Sequence, residues 1–250
     1  MKKFFIALIM LAAAMTLRAA EPVKIIFDTD MGNDVDDVVA LDMLYKYMDE
    51  GKIELLGIIS SKREEGSIRF IDAMNTLYGY PNIPIGIVKS YPEENYTCTD
   101  TKLNYADYTV AAHQYKHTIT DWDAVDDGYK LIRKLLAAQP DRSVTFVTVG
   151  FSTNMARLLA SGADEYSTLD GKSLMAQKAD KVVIMAGNFN EAKKEYNIYK
   201  DHFAAVRFIA ECPVPMYFTD YALGKSTLYP YQTVEQGFKY TENHPLVVSF

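Results

Sequence analysis

VKIIFDTDMGNDVDDVVAL, residues 23–41, passes from an apolar β-rich run through an acidic turn into a segment of helical character. Residues 23–27 have the β-branched make-up of a strand. Gly32 permits a tight turn after it. Asp36 and Asp37 then place negative charge at the positive end of a helix that starts there. The alternation continues outward. β-rich runs at 53–60, 83–88, 143–149, 181–185 and 214–219 are separated by helical-period stretches at 36–47, 67–77, 124–138, 154–160 and 203–211. The runs are apolar throughout rather than alternating, as in parallel strands covered on both faces. The expected fold class is therefore α/β: a doubly wound, mainly parallel sheet with helices on both faces. Ligands of such sheets bind at the carboxyl ends of the strands, and the acidic turn lies at one of those ends.

Asp28, Asp30, Asp34, Asp36 and Asp37 put five carboxylates within ten residues. Like charges so crowded repel unless a cation neutralises them. An all-oxygen cluster with no Cys or His nearby suits a hard cation, Ca2+ or Mg2+. The plainer alternative is a solvated helix cap, where Asp is common; one or two aspartates would fit it, five do not. The spacing is not that of an EF-hand loop, which needs Gly at its sixth position and Glu at its twelfth.

The 250 residues contain no repeat, low-complexity tract or Gly/Ser-rich linker, and 49% hydrophobic content suffices for one sizeable core. The net charge of −7, with no Lys/Arg cluster, argues against a nucleic-acid polymer as partner but not against a phosphate-free nucleoside. Residues 1–20 have the build of a secretory signal peptide: Lys2 and Lys3, an apolar run at 4–15, then small residues around Ala19 and Ala20. Export to the periplasm or the medium is expected, with a mature domain over 21–250 and no membrane span in it. Cys98 and Cys212 could pair in such a compartment, but the setting of Cys212 favours a buried, inert thiol. His113 and His117 have zinc-ligand spacing on a possible helix without an accompanying Glu, so a solvated face is the better reading. Residues 245–250 form an apolar run with no polar tail, and are expected to belong to an element that is cut short.

Three ordered motifs carry a family resemblance. The turn DTDMGNDVDDVVAL resembles the N-terminal signature of the inosine–uridine-type nucleoside hydrolases. Residues 147–154, VTVGFSTN, are similar to the family's strand and following Gly-Pro-Leu-Thr-Asn segment. Met185-Ala-Gly-Asn188, with Glu195-Tyr-Asn197 and Asp201, resembles its central ribose-binding motif. The match runs from about Val23 to Leu223.

The resemblance implies a calcium-dependent hydrolase of the N-glycosidic bond of ribonucleosides. It implies Asp30, Asp37 and the Val149 carbonyl as metal ligands, and Asp30 also as the general base toward the attacking water. Asp36 would bind a ribose hydroxyl; Glu195 and Asn197, helped by Asn188 or Asn190, would hold the sugar's outer hydroxyls. Asn154 is better read as a cap of the following helix. Quaternary structure stays open: dimers and tetramers are common in the family, which allows a homo-oligomer, but no interface is legible in the residues.

Four departures stand beside the match. The turn is lengthened by Asn33-Asp34-Val35; Ser60-Ser61-Lys62 replaces a Gly-Asn after the second strand; a Tyr- and Thr-rich stretch at 91–108 replaces a His-Gly loop; and the family's C-terminal metal-binding Asp and neighbouring His are not matched, His244 arriving too early. A chain without them is expected to bind calcium weakly and turn over slowly. Base specificity cannot be carried through loops that do not match. Two other readings compete: a secreted nucleoside- or ribose-binding protein without catalysis, and a haloacid-dehalogenase-like phosphohydrolase built on Asp28-Thr29-Asp30.

Overall fold

The computed structural model describes residues 21–89, 105–192 and 194–250. Among these, β1 (Val23–Thr29), β2 (Ile53–Ser60), β3 (Ile85–Ile87), β4 (Asp126–Asp127), β5 (Val144–Thr148), β6 (Ala179–Met185) and β7 (Met216–Thr219) form one sheet in the order β4-β3-β2-β1-β5-β6-β7. Every pairing is parallel. The chain winds outward from β1 to β4, then returns to the other side of β1 with β5. The direction of winding thus reverses between β1 and β5, and a crevice at the carboxyl ends of such a pair is where this architecture binds ligands.

Neighbouring residues on the central strands point into different cores, because strand side chains alternate between faces. Ile25, Phe27 and Ile58 pack on one side with Val38 and Leu41 of α1 (Asp36–Asp49) and with Phe70 and Ile71 of α2 (Glu65–Leu77). Ile26 and Ile59 pack on the other with Leu131 and Ile132 of α4 (Gly128–Ala137), and with Met155 and Leu158 of α5 (Thr153–Ala160). Both faces are covered, which accounts for the unbroken apolar runs. The doubly wound expectation is met.

The edges differ from expectation. The helix foreseen from 124 begins at Gly128, because Asp126 and Asp127 pair with Gly86 and Ile87 as β4. Nothing in two consecutive aspartates announces a strand; Arg157, which grips the Asp127 carboxylate with two nitrogens at 2.5 and 2.7 Å, helps hold them there. The third strand shrinks to three residues, Pro84 having no N–H for a ladder. The helix before His117, α3 (Tyr105–His113), ends at His113, and Gln114 turns the chain with φ 47°. His113 and His117 therefore do not share a helical face. Cys212 is a free, half-buried thiol; Cys98 and residues 1–20 lie outside the described residues. No helix among the described residues is long and apolar enough to cross a membrane. Between α5 and β6 lies α6 (Gly171–Lys178), and α7 (Tyr196–Lys200) and α8 (His202–Glu211) follow β6.

After β7 come α9 (Tyr221–Ser226), α10 (Tyr231–Gly237) and α11 (Pro245–Ser249), the last formed by the apolar run at 245–250. Val234 and Leu246 bury against the α1–α2 face. His244 caps α11: Leu246 N donates to its Nδ1 at 3.2 Å, which leaves the proton on Nε2, 3.2 Å from the Tyr78 hydroxyl. Tyr78 in turn donates to Asp42 of α1. His244, which arrives too early to match the family's histidine, therefore has a structural part. Burial, with a contribution from Lys46, pushes its pKa from 6.5 down to about 4. Such a group is neutral in the folded chain and must charge on unfolding, so its contribution is present above pH 6.5 and is lost as pH falls toward 4. His244→Asn is expected to flatten the fall of Tm over that interval relative to the parent; parallel pH curves for the two would remove His244 from this account.

Candidate active site

The first strand delivers its last residues into the reversal crevice. Thr29 Oγ1 donates to Asp37 Oδ1 at 2.6 Å and accepts from Met31 N at 3.1 Å, so one hydroxyl ties the strand end to the first turn of α1. Gly32 makes the bend with φ 118°, a conformation that side chains disfavour. Asn33 closes the turn by donating from Nδ2 to Asp30 Oδ2.

Three strand ends are drawn tightly together. Ser61 Oγ donates to Thr29 O at 3.1 Å and accepts from Phe151 N at 2.9 Å, linking the last residue of β1 to residues that follow β2 and β5. Gly150 lies between them: a Cβ there would sit 2.5 Å from Asp30 N and 2.7 Å from Thr29 C. Asn154 is not a cap as expected. Its Nδ2 reaches back from α5 to Asp28 Oδ2 and to Ser60 O, both at 3.1 Å.

The result is a group of carboxylates removed from water. Asp28, Asp30 and Asp37 are 0, 4 and 3% exposed, whereas Asp34 and Asp36 lie at the surface. Asp34, Asp36 and Asp37 each bring one carboxylate oxygen within 4.8 Å of the others. Burial, reinforced by the charge of Asp36, lifts Asp30 to about 7, against the opposing effects of Asn33 and Lys62. Burial and then the charges of Asp30 and Asp36 raise Asp37 well above the carboxylate range. Asp28 is raised as well, again chiefly by burial, and its buried Oδ1 has no hydrogen-bond partner. Oxygen-only donors, mutually repelling and in part unpartnered, fit a hard divalent cation.

The facing wall comes from β5 and β6. Val149 N donates to Asp28 O, and Val149 O accepts from Asn197 Nδ2, both at 2.8 Å. Glu195 caps α7: Oε1 accepts from Asn197 N at 2.8 Å, and Oε2 from Ile198 N and Gly187 N at 3.1 Å. Its carboxylate therefore closes the loop after β6. Asn188, half-buried in that loop, keeps a buried Oδ1 without a partner, while Asn190 is exposed. Asp201 is taken up by Thr153 Oγ1 and by Ala204 N at the start of α8.

The structure thus places Asp30 and Val149 just past adjoining strand ends and Asp36 and Asp37 in the first turn of α1, with Asn197 bonded to Val149, and Asn188 and Glu195 in the loop after β6. Asn190 makes no hydrogen bond that ties it to them. Sequence reasoning gave neither Asn33 nor Lys62 a part in the site; it counted Asp28 and Asp34 only among the five carboxylates of the turn, and Asp28 also in the competing phosphohydrolase reading. The signal of Asn33, Asp34 and Lys62 was present in two of the four departures, the longer turn and the Ser-Ser-Lys replacement. An aspartyl nucleophile at Asp28 is poorly served by the geometry, since its side chain is fully buried behind Asn154.

Three outcomes follow from this packing. Gly150→Ala must part the strand ends, and a loss of about 1–3 kcal/mol in chemical denaturation is expected; an unchanged midpoint would show that the approach is not tight. Carboxyls whose folded pKa is raised add stability below their usual pKa, and lose it as pH climbs through the folded value. In EDTA the Tm contribution of Asp30 is therefore expected to decline between about pH 4 and pH 7. Asp37→Asn is expected to raise the neutral-pH Tm in EDTA by removing a repelling charge; a lower Tm would contradict the assignment.

The chain matches the family model described as inosine-uridine preferring nucleoside hydrolase over residues 25–247. No curated protein matches it. Among solved structures, the type III effector XopQ complexed with adenosine diphosphate ribose is 16% identical, with a TM-score of 0.68 over 96% of this chain and 67% of that one. A plant nucleoside hydrolase is 17% identical, with a TM-score of 0.64 over 91% and 69%. The purine-preferring ribonucleoside hydrolase of Gardnerella vaginalis is 18% identical, with a TM-score of 0.67 over 90% and 70%. Identities so low establish shared fold, while the family match covers most of the sequence: the chain belongs to the nucleoside hydrolases, a family that cleaves the N-glycosidic bond of nucleosides.

Proposed function

We propose that this chain hydrolyses ribonucleosides to ribose and free base in a calcium-dependent reaction, with Asp30 as general base. The observation that carries the reading is the set of buried, under-neutralised carboxylates where the sheet reverses. Asp30, Asp37 and the Val149 carbonyl would hold the cation, with Asp34 and Asp36 beside them. Bound Ca2+ supplies charge neutralisation and Lewis-acid polarisation, more weakly than zinc would.

The chain's own groups do the rest. Cleavage of the glycosidic bond passes through an oxocarbenium-like sugar, whose positive charge nearby carboxylates stabilise. A base works best with a pKa near the working pH; burial lifts Asp30 to about 7 in the cation-free chain, and a bound cation would draw it down and keep it ionised as a base. It accepts the proton of the attacking water. Asn33 occupies one of its oxygens and so fixes the carboxylate plane. Asp36, exposed at the rim, accepts from a ribose hydroxyl. Asn188, whose carbonyl oxygen lacks a partner, and Asn197 orient the remaining hydroxyls, with Glu195 and Asn190 at the edge of the loop. Such bonds disfavour deoxyribose, which leaves them unmade. The reading includes export by residues 1–20, a mature domain from Glu21 and self-association.

The test is release of free ribose from a ribonucleoside panel by the chain from Glu21, with and without EDTA. Calcium-dependent release is expected, reduced by roughly 10²–10⁴ in kcat by Asp30→Asn. Release untouched by that substitution would remove Asp30 as base. Calcium-dependent binding without release would mean a binding protein, and p-nitrophenyl phosphate cleaved in preference to p-nitrophenyl riboside would mean a phosphohydrolase.

A further inference from the structure

Two of the four departures from the family pattern meet in space. Lys62, from the Ser-Ser-Lys segment that follows β2, is 2% exposed. Its Nζ donates to Asn33 Oδ1 at 2.7 Å, and Asn33 belongs to the three-residue extension of the acidic turn. Asn33 passes the contact on, donating from Nδ2 to Asp30 Oδ2. Ser60 fixes where Lys62 stands: its Oγ donates to Lys62 O at 2.8 Å and accepts from Lys62 N at 3.3 Å. A buried ammonium, an amide and the carboxylate of Asp30 therefore form one hydrogen-bonded line. The line exists because the longer turn and the lysine are present together.

Burying an ammonium is unfavourable unless it faces negative charge. Here it faces a group of carboxylates that burial, and after it their mutual repulsion, makes costly to charge. We infer that Lys62 is a positioning residue and resident counter-charge of the acidic turn, which, acting through Asn33, holds Asp30 in place without a metal and weakens by repulsion the grip of the turn on a divalent cation. The inference rests on the reading of that turn as a cation site. Its consequence is a division of labour: the cation-free turn stays folded, and the cation is held less tightly than the number of carboxylates would suggest.

The sign of the effect separates this role from ordinary packing. A substitution that merely damages the site lowers both the stability of the cation-free chain and its affinity for calcium. Loss of a counter-charge moves the two in opposite directions. The experiment is calorimetric titration with CaCl2 in alkaline buffer, together with Tm in EDTA, for the parent, K62M and K62R. K62M keeps the length and apolar stem of the side chain. It is expected to melt lower in EDTA and to bind Ca2+ on the order of tenfold or more tightly, since unit charges at such separations couple by kilocalories in a partly dry site. K62R is expected to restore the parent values of both. Equal or weaker Ca2+ binding by K62M, in a parent chain that does bind Ca2+, overturns the inference and leaves the cation site standing. A parent that binds no Ca2+ overturns both.

Discussion

Repulsion among carboxylates held out of water is the constraint around which the crevice is organised. Asp28, Asp30 and Asp37 are each almost wholly buried, and burial raises the proton affinity of all three. No chain would gather them for stability alone, because isolated buried charges are strongly unfavourable. The surroundings show how the arrangement is sustained. Thr29 and Asn33 donate to the inner oxygens of Asp37 and Asp30, and Asn154 donates to Asp28. Lys62 adds positive charge one residue removed, through Asn33.

The same groups also join the strands. Ser61 stitches the ends of β1 and β5, Gly150 lets their backbones approach, and Asn154 reaches from α5 to the first two strands. A site assembled across a reversal of winding has walls from segments far apart in sequence. Its precision therefore depends on a few cross-links rather than on one rigid element. Glu195 works the same way on the other wall, closing the loop after β6 with three backbone N–H groups. A carboxylate read from sequence as a sugar ligand thus first shapes the loop that would present such a ligand.

What could be read in advance depended on how local the cause was. The central strands announced themselves because burial on both faces demands unbroken apolar residues, and Ile53–Ser60 came out at its observed bounds. The helices that pack on them showed a clear period. β4 did not, since Asp126 and Asp127 become a strand only by lying beside Gly86 and Ile87. The short helices after β7 were equally silent; they are held by side chains such as His244 and Leu246 finding a surface made by α1 and α2.

The α/β class, the position of the acidic turn at a strand end and the oxygen-only chemistry of that turn were legible in the residues alone. These follow from composition and period within a few residues, where the physics is local. It took folding to set which carboxylates are buried, to send Asn154 to Asp28 instead of capping its helix, and to bring Lys62 and the added Asn33 into one line to Asp30. Those are properties of distance and dielectric between residues separated by tens of positions, and they come into being when parallel strands bring their ends together.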